Sequence, residues 1–152
     1  MTILTTHVGS LPRPKIVSEL LFKREKEEEY NLQYFEEVIS KSVEEVVKKQ
    51  LDVGVDIISD GEMSKISYAT YVKDRYNGFA GDSERNPPQD LEKFPNYMKK
   101  IADSGGTPTY SRPCCVAEIS SKKNNDLTND IKNILSASKK FNHNKIFMNA
   151  AS

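Results

Sequence analysis

The chain has 152 residues, a length that suits one ordinary domain and is too short for two. Its 22 basic and 22 acidic side chains balance, so its charge gives no reason to expect nucleic acid or an anionic membrane as a partner. No apolar run approaches the roughly 20 residues of a membrane span, and the N-terminus lacks the basic and apolar regions of a signal peptide. We therefore expect a cytoplasmic protein whose partner is a small molecule or another protein.

Four short segments rich in β-branched or apolar residues predict strands, and helical patterns separate them. The predicted strands are 3–8, 55–59, 114–119 and 145–148. The strongest helical pattern covers 35–51, where apolar residues recur on one stripe and charged residues occupy the other face. Further helices are predicted at 14–21 and 127–141. This alternation of strand and helix indicates an α/β fold with a parallel sheet.

The segment 77–113 interrupts the alternation, because it holds most of the prolines and shows little periodicity. Such a length inside one domain is typical of an active-site lid or another excursion. We expect one or two helical turns at 68–72 and a helix over 91–102 that is broken near Pro95.

Four strands with their crossover helices make the first half of a (β/α)8 TIM barrel, since a closed barrel needs about 250 residues. We therefore predict a half-barrel, with 1–152 as a single truncated domain, while a shorter open α/β sandwich is the alternative. A half-barrel exposes two sheet edges and an apolar face. We expect such a chain to be poorly stable as an isolated monomer.

Polar residues follow each predicted strand, at Gly9-Ser10, Asp60-Gly61-Glu62, 118–120 and 149–152. Because the carboxyl ends of parallel strands share one face of a sheet, these loops should converge. A hydroxyl and backbone N–H at Ser10 beside a carboxylate at Glu62 suit a zwitterionic amino acid. Gly-Ser and Asp-Gly pairs are also common turn residues, so plain turns are the alternative interpretation.

The remaining candidate residues favour structural roles. Cys114 and Cys115 are adjacent, which gives neither a disulfide framework nor a spaced metal pair, and we expect small core residues. His7 is predicted to be a hydrogen-bonded core or loop residue, His143 a solvated one, and Arg75 a surface residue with an ion pair to an anionic ligand as the alternative.

The runs 5–14 and 54–62 together resemble the cobalamin-independent methionine synthase family. The chain is most similar to the stand-alone branch that corresponds to the C-terminal domain and includes the epoxyalkane:coenzyme M transferases. The segments 71–75 and 147–152 fit the same branch.

The resemblance implies a (β/α)8 barrel methyltransferase of methionine biosynthesis, in which zinc activates a thiol for attack on a methyl donor. The donor would be 5-methyltetrahydrofolate or a related compound, and the acceptor homocysteine or a related thiol. Gly9, Ser10 and Glu62 match the family positions that hold the homocysteine backbone. The same comparison extends less closely to His7 and Asp60, and it assigns no catalytic residue here.

The zinc ligands of the family are a His-x-Cys pair, a Glu and a further Cys on later strands. No His-x-Cys occurs in this chain, and the two cysteines do not match those positions. We therefore expect no metal ligand and no cofactor for the chain itself, and no turnover by it alone. Its expected protein partner is a complementary C-terminal half or a second copy. A non-catalytic, dimerising half-barrel and part of a coenzyme M transferase-like enzyme are the alternatives.

Overall fold

The computed structural model describes residues 3–67, 71–83, 89–103 and 112–149. Helices and strands are mixed in this part of the chain, as an α/β fold requires. The elements in chain order are α1 (Lys15–Glu25), α2 (Leu32–Asp52), α3 (Val72–Arg75), β1 (Tyr76–Ala80), α4 (Pro95–Asp103), β2 (Cys114–Ser121) and α5 (Asp126–Lys140). No helix among the described residues combines the length and the apolar character that crossing a bilayer requires.

Helix α2 confirms the strongest helical prediction. The Asn31 side chain caps its N-terminus by accepting a hydrogen bond from the backbone N–H of Tyr34 at 3.0 Å. At the other end Gly54 has φ +83°, and the N–H of Val55 donates to the carbonyl of Gln50 at 2.9 Å. This is a Schellman ending, which a glycine adopts without steric cost.

The core lies where α1, α2 and α5 pack on the short parallel segments. Its buried apolar side chains are Val17, Leu20, Leu21, Phe35, Ile39, Val43, Val46, Val47, Ile58, Met63, Ile134 and Ala137. Ile58 and Met63 flank the loop 59–62, so the same core that joins the helices also supports this loop. Burial of such side chains is worth about 1.5–3 kcal/mol each before conformational entropy is counted.

Three of the predicted strands meet as parallel neighbours, through single bridges. Thr6 pairs with Ile57, and Ile58 pairs with Ile146, both in parallel. The N–H of Ile57 donates to the Thr5 carbonyl at 3.0 Å, and the N–H of Phe147 donates to the Ile58 carbonyl at 2.8 Å. The segment 57–58 therefore lies between the segments 5–6 and 145–147.

The prediction that 114–119 is a third parallel strand is wrong. Strand β2 pairs antiparallel with β1, in a register that sets Phe79 opposite Cys115 and Tyr76 opposite Ser121. Both cysteines are exposed, so their prediction as core residues is also wrong. The residue pattern of β2 predicts an extended strand but does not specify the strand with which it pairs. In the structure β2 pairs with β1 in a two-stranded antiparallel ribbon.

The region 77–113 contains more regular structure than its composition indicates, since β1 and α4 begin or lie within it. Helix α4 starts at Pro95, where we expected a break. Proline suits a first helical position because its ring fixes a helical φ and the missing N–H would have had no partner there. The predicted turns at 68–72 lie mostly at 68–70, outside the described residues, and α3 follows directly after Tyr71.

Candidate functional site

The loop 59–62 follows the central parallel segment and is buried. The side-chain amide of Gln50 holds its first residue, accepting from the N–H of Ser59 at 2.9 Å and donating to the Ser59 carbonyl at 2.8 Å. Gln50 sits in the last turn of α2, so this paired hydrogen bond fixes the loop to the helix before it. The loop is therefore positioned by the strongest element of the chain.

Gly61 and Glu62 have successive positive φ angles of +60° and +55°. The Asp60 carboxylate stabilises this turn by accepting a hydrogen bond from the Glu62 N–H at 3.0 Å. A left-handed conformation is costly for a residue with a side chain and persists where the surroundings enforce it, often at functional sites. Here it leaves Glu62 only 2 % exposed.

The first loop closes over the second through backbone and arginine contacts. The N–H of Leu11 donates to the Gly61 carbonyl at 3.0 Å. Arg13 donates through Nη2 to the carbonyls of Glu62 at 2.9 Å and Lys65 at 2.6 Å. Burial lowers the pKa of the Arg13 guanidinium, and the neighbouring carboxylates of Glu62 and Asp60 oppose that shift. Arg13 thus acts as a clamp between the two loops.

The Glu62 carboxylate is the point where three chain segments meet. Ser10 Oγ donates to Oε2 at 2.5 Å. From the segment after Ile146, Asn149 Nδ2 donates to Oε1. Both of these hydrogen-bond donors are neutral side chains, and the nearby cation is Arg13, which donates to the Glu62 carbonyl.

The structure brings some of the predicted site residues into contact with Glu62 and places the others elsewhere. Ser10 and Glu62 are in contact, and Gly9 precedes Ser10 with φ +102°. Asp60 instead supports the turn, and its other oxygen lies 3.8 Å from Lys65 Nζ. His7 lines a different, largely apolar cavity of about 360 Å³ with Leu11, Pro12, Met63 and residues of α2. Residues 118–120 lie in the β1–β2 ribbon rather than in this loop cluster.

Asp60 also adjoins a group of largely buried charged and aromatic side chains, which begins at Lys65. Lys65 Nζ is 5.5 Å from the Tyr71 ring centre, and the Arg75 guanidinium is 4.6 Å from the same centre. Arg75 forms an ion pair with Asp130 of α5, which replaces the expected surface role. Burial raises the pKa of the Asp130 carboxyl, although Arg75 acts in the opposite direction. This group connects the loop to α5.

Sequence reasoning missed three contributors. Arg13 donates hydrogen bonds to backbone carbonyls, and such contacts have no sequence motif. The Arg75–Asp130 pair joins residues 55 positions apart. Asn149 was included in a converging exit loop but not singled out. A polar side chain directly after a parallel strand was the available signal for it.

The comparisons with known proteins fit this geometry. The family model described as the catalytic domain of cobalamin-independent synthase matches residues 3–86, which is more than half of the chain and includes Ser10 and Glu62. The chain belongs to this family. It is 28% identical over 133 residues to the methionine synthase of Sulfolobus acidocaldarius. That alignment covers 87% of this chain and 37% of the relative.

Family membership makes this a methyltransferase-family chain. The cobalamin-independent synthases depend on zinc, so we examined whether the described residues could bind that metal. The described residues contain no group of three or more His, Cys, Asp or Glu side chains that suits a metal ion. Cys114 and Cys115 are exposed on the β1–β2 ribbon, whereas Glu62 is buried. The donor set described here therefore does not fit a zinc site.

Proposed function

We propose that this chain is the amino-acid-binding, N-terminal part of a methionine synthase-like (β/α)8 barrel, with 1–152 as one barrel-type domain. The proposed acceptor is homocysteine or a related thiol, and the methyl donor is 5-methyltetrahydrofolate or a related compound. The observation that carries the proposal is the buried Glu62 carboxylate, which Ser10 and Asn149 approach from the two neighbouring parallel segments. The family match and the methionine synthase relative support it.

In this proposal Glu62 accepts hydrogen bonds from the ammonium group of the ligand. The ammonium group replaces the Ser10 hydroxyl at the carboxylate, and the freed hydroxyl turns to the carboxylate of the ligand. Gly9 allows the backbone to approach, while His7 and Asp60 support the two loops. Charge-assisted hydrogen bonds of this kind are stronger than neutral ones.

Further polypeptide would supply the zinc ligands and complete the barrel, and the chain by itself would bind the acceptor without turning it over. Two observations support this. The chain spans 37% of the methionine synthase relative, and the described residues do not fit a zinc site.

Coenzyme M, the acceptor suggested by the sequence resemblance to the stand-alone branch, is less suitable for this site. Coenzyme M carries a sulfonate and no ammonium group. An anion beside the buried Glu62 carboxylate would be repelled in a medium that screens charge poorly. The geometry therefore favours a thiol that bears an amino group.

Substitution of Glu62 by Gln tests the proposal. The variant keeps the shape but removes the charge, and we expect the affinity for L-homocysteine to fall about 10- to 100-fold, the value of a hydrogen bond to a charged group. Isothermal titration calorimetry under reducing conditions measures it. The exposed Glu29→Gln change is the matched control and should have no effect. Equal affinity of wild type and Glu62→Gln would remove Glu62 from the site.

A second candidate is a non-catalytic module that associates with a second copy. The observation in its favour is a stripe on α5 of Leu127, Ile131 and Leu135, which are 51%, 41% and 53% exposed. Large exposed apolar patches are typical of protein interfaces. Sedimentation as a 17.2 kDa monomer at every concentration would contradict this candidate.

A further inference from the structure

The Asn149 side chain offers an acceptor that the described residues leave unused. Its amide Nδ2 donates to Glu62 Oε1. A carboxylate oxygen only accepts, so the NH2 end of the amide must face Glu62 and Oδ1 must face away from it. The orientation of the amide is therefore set by its partner.

Asn149 Oδ1 is buried and has no hydrogen-bond partner among the described residues. Leaving a buried polar atom without a partner costs about 1–3 kcal/mol. Such groups are rare in folded proteins, and each calls for an explanation such as a bound ligand. The oxygen belongs to the same side chain that contacts Glu62, so an unfilled acceptor lies beside a buried negative charge.

We propose that Asn149 is a further ligand-binding residue, whose Oδ1 accepts a hydrogen bond from the same ammonium group that Glu62 binds. This inference rests on the proposed function and adds to it a determinant of specificity for primary amines. A primary ammonium group has three N–H donors, so it can bind a carboxylate and an amide oxygen together. A thiol without an amino group leaves Oδ1 unpaired and gains nothing from Asn149.

The test compares L-homocysteine with 4-mercaptobutyrate, which has the same thiol and carboxylate but no amino group. Wild type and the Asn149→Leu variant, which is similar in size and has no polar side-chain atoms, are titrated with both compounds. Wild type should bind 4-mercaptobutyrate more weakly than L-homocysteine, because this anion has no ammonium group to face Glu62. We expect Asn149→Leu to weaken L-homocysteine binding about 10-fold and to change the affinity for 4-mercaptobutyrate by less than about 2-fold, since one buried hydrogen bond is removed.

Ser10→Ala is the matched control, because it also removes one donor from the Glu62 carboxylate but leaves Oδ1 in place. It should weaken the binding of both compounds, because in the proposed function the Ser10 hydroxyl binds the ligand carboxylate, which both compounds carry. If Asn149→Leu weakens both compounds equally, or neither, Asn149 does not bind the ammonium group and the inference is overturned.

A measurement on the wild-type protein covers the case in which Asn149→Leu does not fold. The side-chain amide NMR signals of Asn149 should shift with L-homocysteine and stay in place with 4-mercaptobutyrate. Equal shifts with the two compounds would overturn the inference.

n-Propylamine, which has only the ammonium group, separates this inference from the proposed function. If wild type binds n-propylamine with a shift of the Asn149 signals but does not bind L-homocysteine, the proposed acceptor is wrong and the role of Asn149 stands. If neither compound binds, both proposals are wrong.

Discussion

Gly61 and Glu62 turn the backbone so that a carboxylate is enclosed between two loops. Gly61 is confined as well as turned, because a Cβ at this position would lie 3.2 Å from Leu11 Cβ and 3.2 Å from Met63 Cε. The Leu11 N–H donates to the Gly61 carbonyl, so the first loop cannot move away from Gly61 without losing this hydrogen bond. A single backbone position thus controls how closely the two loops approach.

Gly61→Ala should lower the free energy of unfolding by about 1–2 kcal/mol from the left-handed backbone alone, and further through the contacts with Leu11 and Met63. Urea denaturation followed by circular dichroism measures the loss. Gly54→Ala is the control, because its φ is also positive while a Cβ there meets no atom within 4 Å. Equal losses for the two variants would show that the contact at Gly61 has no energetic weight.

Helices α1, α2 and α5 end in the same way, with a left-handed residue just beyond the helix. The residues at these positions are Glu27, Gly54 and Asn142. Glycine adopts the conformation freely, and asparagine tolerates it better than other residues with a side chain. Glu27 is therefore the strained ending of the three.

We expect Glu27→Gly to raise the free energy of unfolding by about 0.5–1 kcal/mol, because relief of backbone strain exceeds the entropy that glycine adds to the unfolded chain. Thermal or urea denaturation checks it. Asn142→Gly should change stability less, since asparagine is already well suited to its position. A destabilised Glu27→Gly variant would mean that contacts of the glutamate side chain outweigh the strain.

The helices and loops that could be predicted from sequence are those in which one local pattern decides the structure. Helix α2 has a cap, an apolar stripe and a terminal glycine that agree. The proximity of Ser10 and Glu62 was predicted from the rule that the ends of parallel strands converge, and in the structure the two side chains are in contact. Their role in binding stays a prediction.

The predictions from sequence were wrong where the structure of a segment depends on the distant segment with which it pairs. A strand pattern at 114–119 is the same for parallel and antiparallel pairing, so the β1–β2 ribbon and the exposure of Cys114 and Cys115 could not be read from it. The hydrogen bonds from Arg13 to backbone carbonyls could not be predicted either, because every residue has a backbone carbonyl and the acceptor side chains therefore show no pattern. Such long-range contacts belong to the tertiary structure, and a single sequence carries only a weak signal for them.

At the scale of the whole molecule, the described part of the chain exposes apolar side chains in several regions, and two of these regions bear on association. One is the α5 stripe of Leu127, Ile131 and Leu135. The other is the edge of the parallel segments, where Ile3 is 89% and Val8 63% exposed. Unpaired strand edges and apolar stripes both promote association.

Leu135→Glu should weaken self-association, because it places a charge in the α5 stripe without changing the buried core. Sedimentation velocity over a concentration series measures the shift toward monomer. Ser136→Glu is the control, since it adds the same charge at an adjacent exposed position outside the stripe and should leave association nearly unchanged. If both variants associate like wild type, the stripe takes no part in the contact.

The donors that reach the Glu62 side chain come from residues 52 and 87 positions away in the chain. No short peptide can therefore reproduce this arrangement, which exists only after distant parts of the chain have folded together. A small molecule held there would bind the native state and not the unfolded one, so it would raise the melting temperature by mass action. Heat stability measured against ligand concentration would then report both on occupancy and on whether the long-range assembly is intact.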